Sequence, residues 1–156
     1  MAYWLLKTEP DEYSIDDLRR ENRGFAVWDG IRNYQARNLL RDQVAIDDEV
    51  LIYHSQCKIV GVVGRAVVVR AGYPDPAQFD PDSKYYDPKA SADNPRWYCI
   101  DVAFNETFPR PLSLAAIKRE PALEDMVLLK QGRLSVQPVD PAEWRHILQL
   151  ADSHAA

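Results

Sequence analysis

The sequence predicts an α+β domain: a curved, mostly antiparallel, barrel-like sheet of five to six strands with helices inserted at its edges. Three observations carry that expectation. Runs rich in β-branched and aromatic residues at 49–55, 59–70 and 96–108 have the length and composition of strands. Gly61 and Gly64 interrupt the second run, and a glycine inside a strand pattern marks the bulge or bend that closes small barrels. Helix-start signals at Ser14, Asp29, Ser113 and Asp140 flank these runs on both sides.

Taken in order, Tyr3–Thr8 reads as a buried first strand ended by Pro10. Ser14, with Asp17 three residues on, caps a short helix through Ile15 and Leu18 to Arg20. Phe25–Trp28 is a second short strand. Asp29 and Gly30 then give an N-cap and turn signal, and the proline-free run from Ile31 predicts a helix to about Gln43, with Leu39, Leu40 and Val44 spaced to meet a core. After the Asp47–Asp48 turn, Glu49–Ser55 is a strand, and Gln56, Cys57 and Lys58 form a hairpin link to the strand Ile59–Arg70.

From Gly72 to Pro95 five prolines predict an extended excursion, pinned to the surface by Tyr73, Phe79, Tyr85 and Tyr86. Arg96–Phe108 alternates, with Trp97, Cys99, Asp101, Ala103 and Asn105 on one face and Tyr98, Ile100, Val102 and Phe104 on the other, core-facing side. Ser113 caps a helix to Arg119, a short helix follows at Leu123–Leu129, and Arg133–Pro138 reads as a final strand. Asp140 and Pro141 start the last helix, Ala142–Leu150. Residues 1–150 are thus expected to form one domain and 151–156 a loose tail.

Composition narrows the function. A 156-residue chain with 46% hydrophobic residues can build a core for one domain. A net charge of -5 and a pI of 5.2 argue against a broad phosphate-neutralising surface, so any nucleic-acid contact must be local. Cys57 and Cys99 stand alone without C-x-x-C spacing, which suggests neither a disulfide framework nor a zinc site and fits a reducing cytoplasm or nucleus, of which the cytoplasm is the expected location. The four apolar residues before Lys7 are too few for a signal peptide, and no run approaches the ~20 residues that span a membrane.

Catalytic sets are missing. His54 and Ser55 are neighbours on a strand and point to opposite faces, so His54 cannot activate Ser55, and no G-x-S-x-G elbow exists. His146 and His154 are not spaced with His54 as metal ligands, and the paired aspartates at 16–17 and 47–48 sit at helix or turn positions where they are solvated. The scattered glycines make no phosphate loop. No metal and no cofactor are expected.

What remains is a set of aromatics beside polar groups. Arg32, Asn33, Gln35, Arg37 and Asn38 surround Tyr34 in the first turns of the second helix, a costly composition for a plain surface helix. Trp28 stands just before them, and an aromatic plane beside the free N–H groups of a helix start is suited to holding a planar heterocycle. Trp28 is equally readable as a core tryptophan.

The segments K-T-E-P (7–10), W-D-G-I-R-N-Y-Q-A-R-N (28–38), Y-H-S (53–55), Y-P-D (73–75), Y-D-P (86–88), N-P-R-W (94–97) and R-L-S-V-Q-P (133–138) occur in the order found in the EVE domain family, which the chain resembles from first strand to last helix. The resemblance implies a PUA-like fold, related to the YTH readers of methylated adenine, with an aromatic-lined pocket for a flipped base of methylated or hydroxymethylated type in DNA or RNA. Carried onto this sequence, it implies a pocket of Trp28, Asn33, Tyr34, Tyr53, His54, Ser55, Trp97, Arg133, Leu134 and Ser135. Phosphate and flanking contacts would come from Lys7, Asp29, Gly30, Arg32, Gln35 and Arg37. The link after Ser55 is shorter than in the family's typical member and Gly132 replaces a bulkier residue, so the rim differs. The expectation is a non-catalytic reader of a modified base. An enzyme acting on nucleic acid or a nucleoside, and a pocket for a free metabolite, stay open as alternatives, as does the oligomeric state.

Overall fold

Strand alternation sorts the apolar side chains onto two faces of one sheet. A computed structural model describes residues 1–155, with side chains as far as Ser153. The chain runs β1 (Tyr3–Thr8), α1 (Ile15–Arg19), β2 (Ala26–Trp28), α2 (Tyr34–Asp42), β3 (Glu49–His54), β4 (Gly61–Pro74) and β5 (Tyr98–Ser113). It continues as α3 (Leu114–Lys118), α4 (Val127–Lys130), β6 (Val136–Val139) and α5 (Pro141–Ala155), with 3-10 turns at Pro76–Phe79 and Pro121–Leu123. The six strands are ordered β2, β5, β4, β3, β1, β6; β1 and β3 are parallel and the other four pairings antiparallel.

On one face Trp4, Leu6, Val50, Ile52, Ile100 and Val102 pack against Ile15 and Leu18 of α1 and Ala36 and Leu40 of α2. On the other, Leu5, Leu51, Tyr53, Val62 and Leu112 meet Ile117 of α3, Leu128 of α4 and Trp144, Ile147 and Ala151 of α5. Curvature comes from register shifts at Ile52/Tyr53 on β3 and from Val62/Gly64 onward on β4. Gly61 and Gly64 lie on this bend, and a Cβ at either would collide with the β5 backbone, at Leu112 and Glu106 respectively.

Several expected boundaries move. α2 starts at Tyr34, three residues later than the sequence suggests, because Asn33 takes the N-cap and its Oδ1 accepts from Ala36 N at 3.0 Å. Asp29 and Gly30 therefore belong to an extended turn ahead of the helix, where Gly30 has φ +76. β4 begins at Gly61, leaving Ile59 in the link with 53% of its surface exposed, and it runs on to Pro74. The face of β5 expected to look outward carries Cys99 and Asp101, both buried, since the extended β4 lays Tyr73 against them and its Oη donates to Asp101 Oδ1. α5 continues through Ala155 with Ala151 buried, where a loose tail was expected from residue 151; Ala156 lies outside the described residues.

Candidate nucleic-acid interface

The first link is the end of β1. Lys7 N donates to Ser135 O at 3.0 Å, Ser55 N to Thr8 O at 3.0 Å and Thr8 Oγ1 to Tyr13 O at 2.7 Å, which ties the ends of β1 and β3 to the segment that enters β6. The second link is the turn after β2. Gly30 N donates to Asp75 Oδ2 at 2.9 Å, and its Cα faces the Tyr85 ring so closely that a Cβ would lie 2.6 Å from Cζ. Only glycine fits there, by positive φ and by space.

Asp75 fastens this turn to the proline-rich excursion. Its wholly buried carboxylate also accepts from Ala77 N at 2.8 Å and from Arg32 Nη1 at 2.9 Å. Arg32 in turn donates from Nη2 to Tyr85 O at 2.8 Å. The excursion is thereby held as a wall.

Between these elements opens a cleft of about 700 Å³. Thr8, Glu9, Glu12 and Tyr13 form one side, Val27 to Ile31 another, and Lys84 with Tyr85 the third. Its floor and remaining rim come from Lys7, Ser55, Gln56, Gly132, Arg133 and Ser135. Trp28 reaches it with only 7% of its surface exposed and meets Tyr13 edge-on at 6.0 Å. Burial and the nearby Asp75 carboxylate push the Asp29 carboxyl above its ordinary pKa, and burial pulls the Lys7 ammonium below its own. Across the mouth, Lys84 Nζ lies 3.5 Å from Glu12 Oε1. Aromatic edges, hydroxyls, carboxylates and cations around one concavity are the components of a polar-ligand site.

Of the residues the resemblance implied, the cleft brings together Lys7, Trp28, Asp29, Gly30, Ser55, Arg133 and Ser135. The others stand elsewhere, each for a physical reason. Tyr34 stacks on Trp97 at 4.8 Å, and the guanidiniums of Arg37 and Arg32 lie 4.7 Å and 5.3 Å over the Tyr34 and Trp97 rings, so both rings are engaged within the protein away from the cleft. Asn33 is committed to capping α2. Tyr53 is buried on the opposite face of the sheet, and Leu134 is buried in the core beneath α2.

His54 Nε2 accepts from Ile15 N at 3.1 Å, which satisfies the first N–H of α1 while Ser14 Oγ accepts from Asp17 N. The phosphate contacts expected of Arg32 and Arg37 are likewise displaced, because Arg37 donates to Asn38 Oδ1 and Arg96 O and Arg32 to Asp75 and Tyr85. Gln35 faces Gln131 in a neighbouring hollow.

Sequence reasoning missed Glu12, Tyr13, Lys84 and Tyr85 as cleft residues and Asp75 as their anchor. Gly30 was the available signal, since a glycine fixed between an aromatic strand end and a helix demands a close neighbour, but nothing local names Tyr85, 55 positions away. Among the described residues no cluster of three His, Cys, Asp or Glu side chains is placed to hold a metal, and no helix is long and apolar enough to cross a membrane.

The sequence model of the EVE domain matches residues 2–150. The chain belongs to the EVE domain family. Mouse thymocyte nuclear protein 1 is 38% identical over 168 residues, which cover 97% of this chain and 74% of that protein. A hypothetical protein from Leishmania major superposes on this EVE domain with a TM-score of 0.94 at 42% identity, covering 100% and 98% of the two chains. The crystal structure of human THYN1 protein in complex with 5-methylcytosine containing DNA superposes with a TM-score of 0.92 at 36% identity, covering 97% and 98%. These relatives correct the expectation of a cytoplasmic location, because the mouse, rat and human proteins are named as nuclear.

Proposed function

We propose that this EVE domain is a non-catalytic module that binds DNA carrying a modified base of the 5-methylcytosine type, with that base turned out of the stack into the cleft. One observation carries the reading: the W-D-G turn, Ser55 and the 133–135 segment meet around a single concavity in a chain 36% identical to human THYN1 protein, crystallised with 5-methylcytosine containing DNA. A flipped base loses its stacking and pairing at a cost of a few kcal/mol, which the site must offset through its polar edge and ring.

The side chains at the cleft suit that task. The Ser55 and Ser135 hydroxyls donate or accept as needed, and Asp29 accepts from an exocyclic amine. Tyr13, Trp28 and Tyr85 supply the aromatic surface. Lys84 and Arg133, both exposed at the rim, take the phosphate role that Arg32 and Arg37 cannot. Binding opens with Lys84 leaving Glu12 for a phosphate oxygen, a small loss because both side chains of that pair are largely exposed.

Anisotropy titrations test this with duplexes that differ only in one cytosine, 5-methylcytosine or 5-hydroxymethylcytosine, beside the matching RNA and free nucleosides. A modified duplex binds more tightly than the plain one, and Asp29→Ala reduces the difference. Equal affinity for all three duplexes refutes the reading. Turnover of nucleosides or esters that disappears in Ser55→Ala refutes its non-catalytic part.

A further inference from the structure

We infer that the hollow beside the cleft reads the base next to the modified one, and that it selects adenine; the inference rests on the base-reading function proposed above. The hollow, of about 310 Å³, is lined by Asn33, Gln35, Gln131 and Leu134 and shares Gly132 and Arg133 with the cleft. A nucleotide adjacent to one seated in the cleft reaches it by passing Gly132. Gly132 has no side chain, and a Cβ built there would have nothing within 4 Å, so the passage is open.

The chemistry of the hollow is that of side-chain amides. Gln35 Nε2 donates to Gln131 Oε1 at 3.1 Å, which leaves the Oε1 of Gln35 as an acceptor and the Nε2 of Gln131 as a donor. Asn33 Oδ1 is taken by the α2 cap, so only its Nδ2 is free to face the hollow. Between them the two joined amides offer the hollow one acceptor and one donor, the complement of the N6 amine and N7 of adenine, the base that carboxamides recognise in bidentate fashion. Guanine presents two acceptors on the same edge and suits Arg133 instead. Gln35 and Gln131 come from α2 and from the loop after α4, so the pair is a tertiary arrangement with no trace in local sequence.

The test uses the full chain and duplexes holding one 5-methylcytosine with each of the four bases at the adjoining position on either side. Adenine on one side binds about 5- to 150-fold more tightly than the other bases, the usual worth of one bidentate pair. Gln131→Ala, at an exposed position, removes that preference and leaves the discrimination between 5-methylcytosine and cytosine unchanged. Gly132→Val, whose backbone needs no positive φ, narrows the passage and weakens the preference as well. A flat response to the neighbour with intact discrimination of the modified base overturns the inference alone. So does an adenine preference that survives in Gln131→Ala, or a guanine preference. Loss of discrimination in every context overturns the base-reading function and this inference with it.

Discussion

Asp75 is the most exposing place to perturb this molecule, because the cleft wall depends on a residue that never touches the cleft. Its carboxylate has no solvent-accessible surface and receives three N–H donors, from Gly30 at 2.9 Å, Ala77 at 2.8 Å and Arg32 at 2.9 Å. Asp75→Asn keeps the shape but retains one acceptor oxygen, so an amide group must face a donor. A hydrogen bond to a charged group contributes roughly 1.5 to 3 kcal/mol, and breaking a buried ion pair costs roughly 3 to 5 kcal/mol. The Arg32 side chain is 21% exposed and keeps its bonds to Tyr85 O, which lets it recover some solvation. The expected loss for Asp75→Asn is therefore at the lower end, about 3 kcal/mol.

Urea melts of the wild type, Asp75→Asn, Arg32→Ala and the double variant measure this. The double variant should be less destabilised than the sum of the single ones by at least about 1 kcal/mol, since the two groups contact each other. Hydrogen exchange at the Gly30 amide should speed up in Asp75→Asn more than exchange in the core strands. A stability loss under about 1 kcal/mol with additive single effects would refute the claim that this pair fastens the excursion to the turn.

Trp28→Ala should lose roughly 3 to 5 kcal/mol of folding stability in denaturant melts, because the indole is 7% exposed in the core beneath α1, and Trp28→Phe should lose less. If two to three phosphates are contacted, the log–log salt slope of duplex binding should be about -2 to -3, and a slope near -8 would mean an extended basic groove. Burial pulls the His54 pKa below its ordinary value, and its Nε2 must stay unprotonated to accept from Ile15 N. The folded value then lies under the unfolded one of ~6.5, so the stability this residue contributes is full above that pH and is lost as pH falls through the folded value. Melts between pH 7.5 and 5 should show a steeper decline for the wild type than for His54→Asn, and equal slopes would remove His54 from the account.

The sequence carried the fold because its signals are local and mutually consistent. β1 and the Ser14 cap with Asp17 appear where propensity and capping place them, as do the Ser113 cap and Pro141 at the start of the last helix. The bend at Gly61 and Gly64 was legible for the same reason. What misled was tertiary. Asn33 as a cap, and not Asp29, could not be separated from sequence, because both residue types cap helices and the choice is made by Asp75 drawing the Gly30 N–H out of the helix start. The inner face of β5 at Cys99 and Asp101 looked exposed until Tyr73 was folded onto it.

The same reasoning explains why the candidate site was only half visible. The polar first turns of α2 stood out in the sequence as too costly for a plain surface, and in the structure three of their side chains serve the wall. Arg32, Arg37 and Tyr34 hold Tyr85, Arg96 and Trp97. A side chain saturated with intramolecular partners has little left to offer a ligand, whatever its chemistry. The residues proposed to meet a ligand, Asp29, Ser55, Ser135, Lys84 and Arg133, line the cleft where the chain gives ordinary surface composition and no periodic signal. In a domain of net charge -5, the proposed phosphate contact rests on the few cations whose donors are not already engaged. Lys84, tied to Glu12 by one exposed ion pair, meets that condition and Arg32, bonded to Asp75 and Tyr85, does not.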